Sequence, residues 1–435
     1  MRLQERLRPA TAGCRLFTMD AVPLDGYMAH FRVDSAVCVS PVDKGGGWGL
    51  RACRKIAAGD VIASVPRRAV VEVHAASSCP WLQSNQLRPG TDHRDAERVW
   101  SALPLHVRLA LALLDLSAAV DAPCADLDQA AMRQYVEILP REHAGALAWS
   151  RDELLELHDA WMLQKVEQEQ ARVRGHLDTL SQVLSTPPTE AALLWALQSV
   201  LSRAFAFRAC ETVPGGLAFA SEEDADTACL LPVIDSANHD PEIAETNLAL
   251  EGGGQAGPDE GCFVLKATGH YEVGQEVDIS YGCSKSNDKL LLNYGFVIAR
   301  NLHDDFTVPE LSALGDGEAD GAGAAGGLDG PVCFSRDMSF LSGLESAEHL
   351  EALAMVCDTV LADMETSVQD DEALLAGAAG GMLAPRRRMA VEFRVSKKRL
   401  LSEVGGELRR QAACSHDREA LFQGLLGGGI NFPPG

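Results

Sequence analysis

The chain has 435 residues, 46% of them hydrophobic, which suits two or three domains with a large buried core and excludes a globally disordered protein. Asp and Glu number 62 against 38 Lys and Arg, a net charge of −24 that repels phosphate backbones and draws a basic protein partner instead. The 12 cysteines include no C-x-x-C or C-x-C pair, which argues against zinc and a disulfide framework and points to a reducing compartment.

The first 19 residues are Arg-rich with a single acid, Glu5, as in an organellar transit peptide, and lack the apolar core of a secretory signal. Cytoplasm or nucleus is the expected compartment, or the chloroplast if this leader acts as a transit peptide. From Val33 to Val73 the pattern reads as short strands. Lys44–Gly49 is a flexible turn before Leu50–Cys53, and Ala57–Asp60 turns into Val61–Val65, closed by Pro66. From Asp92 to Phe207 the pattern is helical. Leu105–Val120 is apolar nearly all round, as in a buried helix, and Asp115 breaks it well short of the roughly 20 residues of a membrane span. Ser150–Glu153 is a capping box opening a helix through Leu154, Leu157 and Trp161. Thr189 caps a helix whose apolar face runs from Leu193 to Phe205. Strand character returns from Cys229 to Val297, with period-two alternation in Cys262–Ala267 and Val277–Tyr281. Turn signals lie at Gly252–Gly254 and Gly269–Gly274. Leu314–Gly330 is a linker with seven glycines, and helical spacing resumes beyond it.

Four segments carry unusual chemistry, and each also has a plain reading. Glycines in Gly47-Trp48-Gly49-Leu50-Arg51 let a backbone approach a ligand closely, or make a hairpin turn. Arg203 in Ser202-Arg203-Ala204-Phe205 pairs with a ligand carboxylate, or sits at a helix surface. Asp235, Asn238 and His239 crowd the end of an apolar strand, where each needs a partner if buried, or form an Asx-type turn. No further residue is spaced to build a metal site with His239. Tyr281 precedes Gly282, and Tyr294-Gly295-Phe296 follows thirteen residues after Tyr281. Clustered aromatics are usually core, whereas glycine neighbours at a strand end suit a pocket wall.

In this order the segments resemble the SET-domain methyltransferases, nearest the branch holding the plant Rubisco large-subunit lysine methyltransferases and their animal relatives. The resemblance covers nearly the whole chain, including Ile56–Val61, Tyr135–Pro140, Trp195 with Ser202–Phe205, Pro232–His239 and Ser286–Phe296. It implies an α+β protein, in which a β-rich SET fold with a pseudoknot and helical insertion precedes an all-α C-terminal substrate-binding domain. The expected divisions are an N-terminal extension over 1–30, a SET domain over 31–310 with its insertion at about 90–207, a linker over 311–330 and the C-terminal domain over 331–435.

The resemblance further implies transfer of a methyl group from S-adenosylmethionine to a lysine of a non-histone protein. A histidine acceptor, or an inactive scaffold that binds a protein, is the alternative. Gly49, Leu50, Arg51, Arg203, Asp235, Asn238, His239 and Tyr281 are the expected cofactor residues. Tyr281 is the expected catalytic residue, and Phe205, Tyr294 and Phe296 the wall of the lysine pocket. A monomer is expected, with a protein substrate, no metal, no nucleic acid and no membrane as partner.

Overall fold

Side-chain caps open six helices of the computed structural model, and burial alternates along several of its strands. It describes residues 24–427 apart from 43–47, 84–85, 119–126, 210–216, 221–223, 244–245, 252–260, 283, 310–330, 342–345 and 378–382. The expected leader, most of the Lys44–Gly49 turn, the Gly252–Gly254 turn and the glycine linker therefore lie outside the described residues.

After helix α1 (Asp25–Phe31) come strands β1 (Asp34–Ser35), β2 (Val37–Pro41), β3 (Trp48–Ala52), β4 (Val61–Pro66) and β5 (Val71–His74). The helical stretch follows with α2 (His93–Ala102), α3 (Leu105–Ala118), α4 (Leu127–Ile138), α5 (Arg151–Leu155), α6 (Ala160–Val183) and α7 (Glu190–Arg203). Strands β6 (Phe205–Ala209), β7 (Leu217–Phe219), β8 (Thr227–Leu230), β9 (Asn247–Glu251), β10 (Cys262–Lys266) and β11 (Glu276–Val277) lead to α8 (Asn287–Lys289). The rest is β12 (Asp305–Val308), β13 (Val332–Ser335), α9 (Ala347–Asp363), α10 (Val368–Leu375) and α11 (Pro385–Gly427). The sheets run β1-β4-β10-β9, β11-β3-β2 and β5-β8-β6-β7, with β12-β13 as a separate ribbon, and every ladder is antiparallel. The mixed α+β architecture is the expected one, and the two-stranded ribbon precedes the C-terminal helices.

Local chemistry explains several boundaries. The Thr189 side chain accepts from the Ala192 amide, and the Ser150–Glu153 capping box is fully formed. The helix it opens is nevertheless only five residues long. His158 turns left-handed at φ 52°, and buried Asp159 caps a new helix by accepting from Met162, so Trp161 belongs to α6. The α7 helix likewise stops at Arg203, and Phe205 pairs with Cys229 in a ladder. Phe205 and Phe207 alternate around Ala206, a period-two signal masked by the helical spacing Leu201–Phe205.

The alternation at Val277–Tyr281 gives only a two-residue strand and one bridge, because the chain leaves β3 to cross another segment. Leu290–Tyr294 is a π-helical turn, closed by the Gly295 amide on the Leu290 carbonyl at 2.9 Å. Trp48 and Gly49 belong to β3 rather than to a turn.

Two hydrophobic cores result among the described residues. The larger joins α1, the three sheets and the helical stretch, and it takes Ala390 and Phe393 from α11. The smaller joins β12, β13 and α9 to Leu400, Leu401, Val404, Leu408 and Ala412 of the same helix. Between these two stretches α11 buries Arg394, Ser396, Lys397 and Lys398. No single helix among the described residues is long and apolar enough to cross a membrane.

Candidate active site

Beyond β8 the chain turns hard. Val233 sits at φ 76° and ψ −61°, a conformation a β-branched residue rarely adopts, and strain of this kind tends to gather at functional sites. The tight turn drives Asp235 into the core, where its Oδ2 accepts the Tyr135 hydroxyl at 2.5 Å. Arg203, the last residue of α7, donates from Nη1 to the Asp235 carbonyl at 2.9 Å. Burial pushes the Asp235 carboxyl up to about 6, while Arg203 and the Tyr135 hydroxyl pull it back. His143 lies nearby, 2.9 Å from the Ser199 hydroxyl, and burial together with Arg203 lowers its imidazole to about 4. Arg203 Nε, Asp235 Oδ1 and Ser236 Oγ are buried without a hydrogen-bond partner among the described residues.

The next residues cross a distant segment. Ile279 donates its amide to the Asn238 carbonyl at 2.8 Å, and the Asp240 amide returns a bond to the Ile279 carbonyl at 3.0 Å. The crossing sets Tyr281. Its amide donates to His239 Nδ1 at 3.1 Å, and its hydroxyl donates to the Ala237 carbonyl at 2.8 Å. The bond to Nδ1 assigns the proton of a neutral His239 ring to Nε2. Burial lowers the His239 imidazole below its ordinary value, although the Ile279 backbone and Asp240 work the other way. Burial likewise pushes the Tyr281 phenol up to about 12, against the Arg203 charge, so it stays protonated at neutral pH.

The aromatic groups stack around this tyrosine. Its ring lies 5.2 Å from His239 at 19° and 4.7 Å from Tyr294 at 20°, and Phe296 stands within 6.4 Å of all three. Tyr281 and Tyr294 line a narrow cavity of about 60 Å³ together with Arg203, Phe205, Asp235 and Ala237.

Asn238 faces a different neighbour. Its Nδ2 donates to Glu276 Oε1 at 2.9 Å and lies 3.5 Å from the Trp48 carbonyl. Gly49 fits beside it only for want of a side chain. A Cβ there would stand 2.6 Å from Val42 Cγ1 and 2.9 Å from Asn238 Nδ2. Leu50 is wholly buried, and Arg51 hydrogen-bonds the carbonyls of Pro41 and Gly274, so neither side chain lines the cavity.

Thus Arg203, Phe205, Asp235, Tyr281 and Tyr294 come together at the cavity, with His239 and Phe296 behind them. Gly49 and Asn238 meet at the adjoining strand edge. Glu276 and His143 escaped the sequence reading, and Tyr135 entered it only within the Tyr135–Pro140 match, since their partners lie 38, 56 and 100 residues away. One carboxylate group among the described residues, Asp288, Asp304 and Asp305, is close enough to hold a metal ion. The Lys397 ammonium already lies 2.7 Å from Asp288 Oδ1 and 2.8 Å from Asp304 Oδ1, and His239 is not part of the group.

No protein-family model matches the chain. It is 25% identical over 328 residues to the chloroplastic [fructose-bisphosphate aldolase]-lysine N-methyltransferase of Arabidopsis thaliana, covering 64% of each protein. It is 23% identical over 416 residues to the chloroplastic ribulose-1,5-bisphosphate carboxylase/oxygenase large subunit N-methyltransferase of Nicotiana tabacum, covering 84% of this chain and 76% of that one. An actin-histidine N-methyltransferase of Rhinolophus ferrumequinum matches at 21% identity, over 82% of this chain and 63% of the relative. The crystal structure of the SET domain of LSMT bound to lysine and AdoHcy superposes with a TM-score of 0.63, covering 93% of this chain and 95% of that one at 21% identity. The fold is therefore that of the LSMT SET-domain proteins. The chain spans a little under two thirds of the length of the first and third of these relatives.

Proposed function

We propose that the chain is an S-adenosylmethionine-dependent protein methyltransferase and that its acceptor is a lysine side chain. The observation that carries this reading is Tyr281. It is held at three points, by His239, the Ala237 carbonyl and the Tyr294 ring, at the wall of a narrow cavity. The residues fit the cofactor. Gly49 offers a backbone free of side chain beside the Asn238 amide, and Arg203 holds a buried Nε without a partner among the described residues. Gly49, Leu50, Arg51, Arg203, Asp235, Asn238, His239 and Tyr281 would hold it, Leu50 and Arg51 by backbone. When bound, S-adenosylmethionine supplies a methyl group on a positively charged sulfur.

The protein's part is then positioning and electrostatics. The only Tyr281 hydroxyl proton is engaged by Ala237, so its oxygen meets any ligand as an acceptor. An acceptor oxygen suits a group carrying positive charge, and a phenol near 12 does not serve as a base at neutral pH. The amine must lose its proton before it can attack. Enclosure by Phe205 and Tyr294, with Phe296 behind them, favours its neutral form, and water accepts the proton.

A second reading, a histidine acceptor, is favoured by the polar Arg203 and Asp235 at the cavity and by the actin-histidine relative. Incubation of the purified chain with tritiated cofactor and a fractionated proteome, followed by amino-acid analysis, separates the readings. Label in methyllysine is expected. Label in methylhistidine moves the assignment to the second reading, and neither label nor calorimetric cofactor binding overturns both.

A further inference from the structure

Where α11 passes between the two cores it buries four polar side chains within five positions, a costly arrangement unless each is fully paired. Lys397 is 1% exposed, and its ammonium meets Asp288 Oδ1 at 2.7 Å, Asp304 Oδ1 at 2.8 Å and the Asp305 carbonyl at 2.5 Å. Burial works against its charge, and Asp288, Asp304 and Asp159 outweigh that and keep it protonated. Replacing such a buried ion cluster as a whole by apolar residues is often neutral or even stabilising, so net stability is a weak account of why these ions are here.

What they orient is the aromatic wall. Asn287 donates its amide to Asp304 Oδ1 at 3.0 Å, and its Nδ2 lies within 3.0 Å of Asp304 Oδ2, Ser396 Oγ and the Ile298 carbonyl. Its Oδ1 accepts the Ile298 amide at 3.0 Å. The segment from Asn287 to Ile298 is therefore a closed loop. One asparagine joins its two ends, and Asp304, Ser396 and Lys397 fix that junction to α11. Tyr294 and Phe296 are carried on the loop. Beyond the junction α11 is built into the smaller core with α9 and the β12–β13 ribbon.

We infer that Asn287 and Lys397 are positioning residues, through which the C-terminal helices set the places of Tyr294 and Phe296 against Tyr281. Neither lines the cavity, so both act through the loop. The inference rests on the methyltransferase reading for its kinetic consequence alone.

The test uses the full chain labelled with 3-fluorotyrosine, which has only five tyrosines to resolve. The Tyr281 and Tyr294 resonances are assigned from their Phe variants. Asn287→Ala leaves Lys397 paired with both aspartates, so it should fold. It should move the Tyr281 and Tyr294 fluorine resonances and leave those of Tyr27 and Tyr135 in place. Turnover on a protein substrate should fall about 10- to 100-fold, with cofactor affinity within about twofold. Because Lys397→Met alone strands two acids, Lys397→Met is made together with Asp288→Asn and Asp304→Asn, and the same shifts are expected. Unmoved resonances in folded variants overturn the inference, whatever the melting temperature does. Moved resonances in a protein whose wild type neither transfers a methyl group nor binds the cofactor uphold the mechanical link and overturn the methyltransferase reading instead.

Discussion

At the scale of single residues, the geometry separates the two tyrosines of the cavity. Tyr281→Phe removes one oxygen and leaves the Ala237 carbonyl without its donor, at a cost of about 1 kcal/mol. Folding and cofactor affinity should change little, while kcat drops by about 10²-fold or more, the scale of one preorganised electrostatic partner. Tyr294→Phe keeps the stacked ring and alters the polarity of the pocket, so it should change how many methyl groups are added more than the rate of the first. Mass spectrometry of the product with each variant checks this, and like behaviour of the two would undo the division of roles. His239 carries a pH dependence. Its folded value lies below the ordinary imidazole value of about 6.5, so the unfolded chain binds the proton more readily. Its contribution is complete above about pH 6.5 and is lost as pH falls toward the lowered folded value. His239→Asn keeps an acceptor near the Tyr281 amide without that proton, so melting curves of wild type and variant should converge, or cross in the variant's favour, as the solution is acidified. The residues gathered at the cavity were legible through a resemblance carried by the order of four segments, each of which has a plain reading by itself. Glu276 and Asn287 were not, for each is explained only by a partner far along the chain.

Among the elements, legibility followed periodicity where one partner surface decides the structure. The α3 helix is apolar on nearly all sides and lies in the core as such a helix must. Phe205 fits two periods, and the ladder with Cys229 decides for the strand. The Ser150 capping box names a helix start but nothing about its length, which is set by where Asp159 must be buried. The π-helical turn carries the sharpest consequence. It ends at Gly295, with φ 74°, where a Cβ would lie 2.6 Å from the backbone of Ala144 and Gly145. Backbone cannot step aside cheaply, so Gly295→Ala should cost about 2–4 kcal/mol. Gly59 also has positive φ, at 87°, but nothing stands within 4 Å of its added Cβ. Gly59→Ala should therefore lose only the conformational part, about 1 kcal/mol. Chemical denaturation of both variants checks the contrast, and equal losses would show that the π-helical turn relaxes.

For the whole molecule, the α+β plan with its C-terminal helices was readable from the order of patterns, whereas the attachment of those helices was not. Helical spacing shows apolar faces and is silent on buried charges, which appear only once Arg394 and Lys398 are seen on Asp371 and Lys397 on Asp288 and Asp304. The C-terminal helices are no detachable appendage. Ending the chain before Pro385 would strip Ala390 and Phe393 from the larger core and strand three buried aspartates. Such a truncation should give a poorly dispersed amide spectrum and no cofactor affinity. A well-dispersed, cofactor-binding product would show the larger core to be self-sufficient. The crossing of residues 237–240 with residues 278–281 has a further consequence, for biosynthesis. A ribosome must deliver the second strand of the crossing about 40 residues after the first, and α11 more than 100 residues later still. Contacts of such long sequence separation form late. A nascent chain arrested between Phe296 and Pro385 should thus hold every residue of the cavity and still be inert, so that activity in a timed translation begins with the emergence of α11 and not with that of Tyr294.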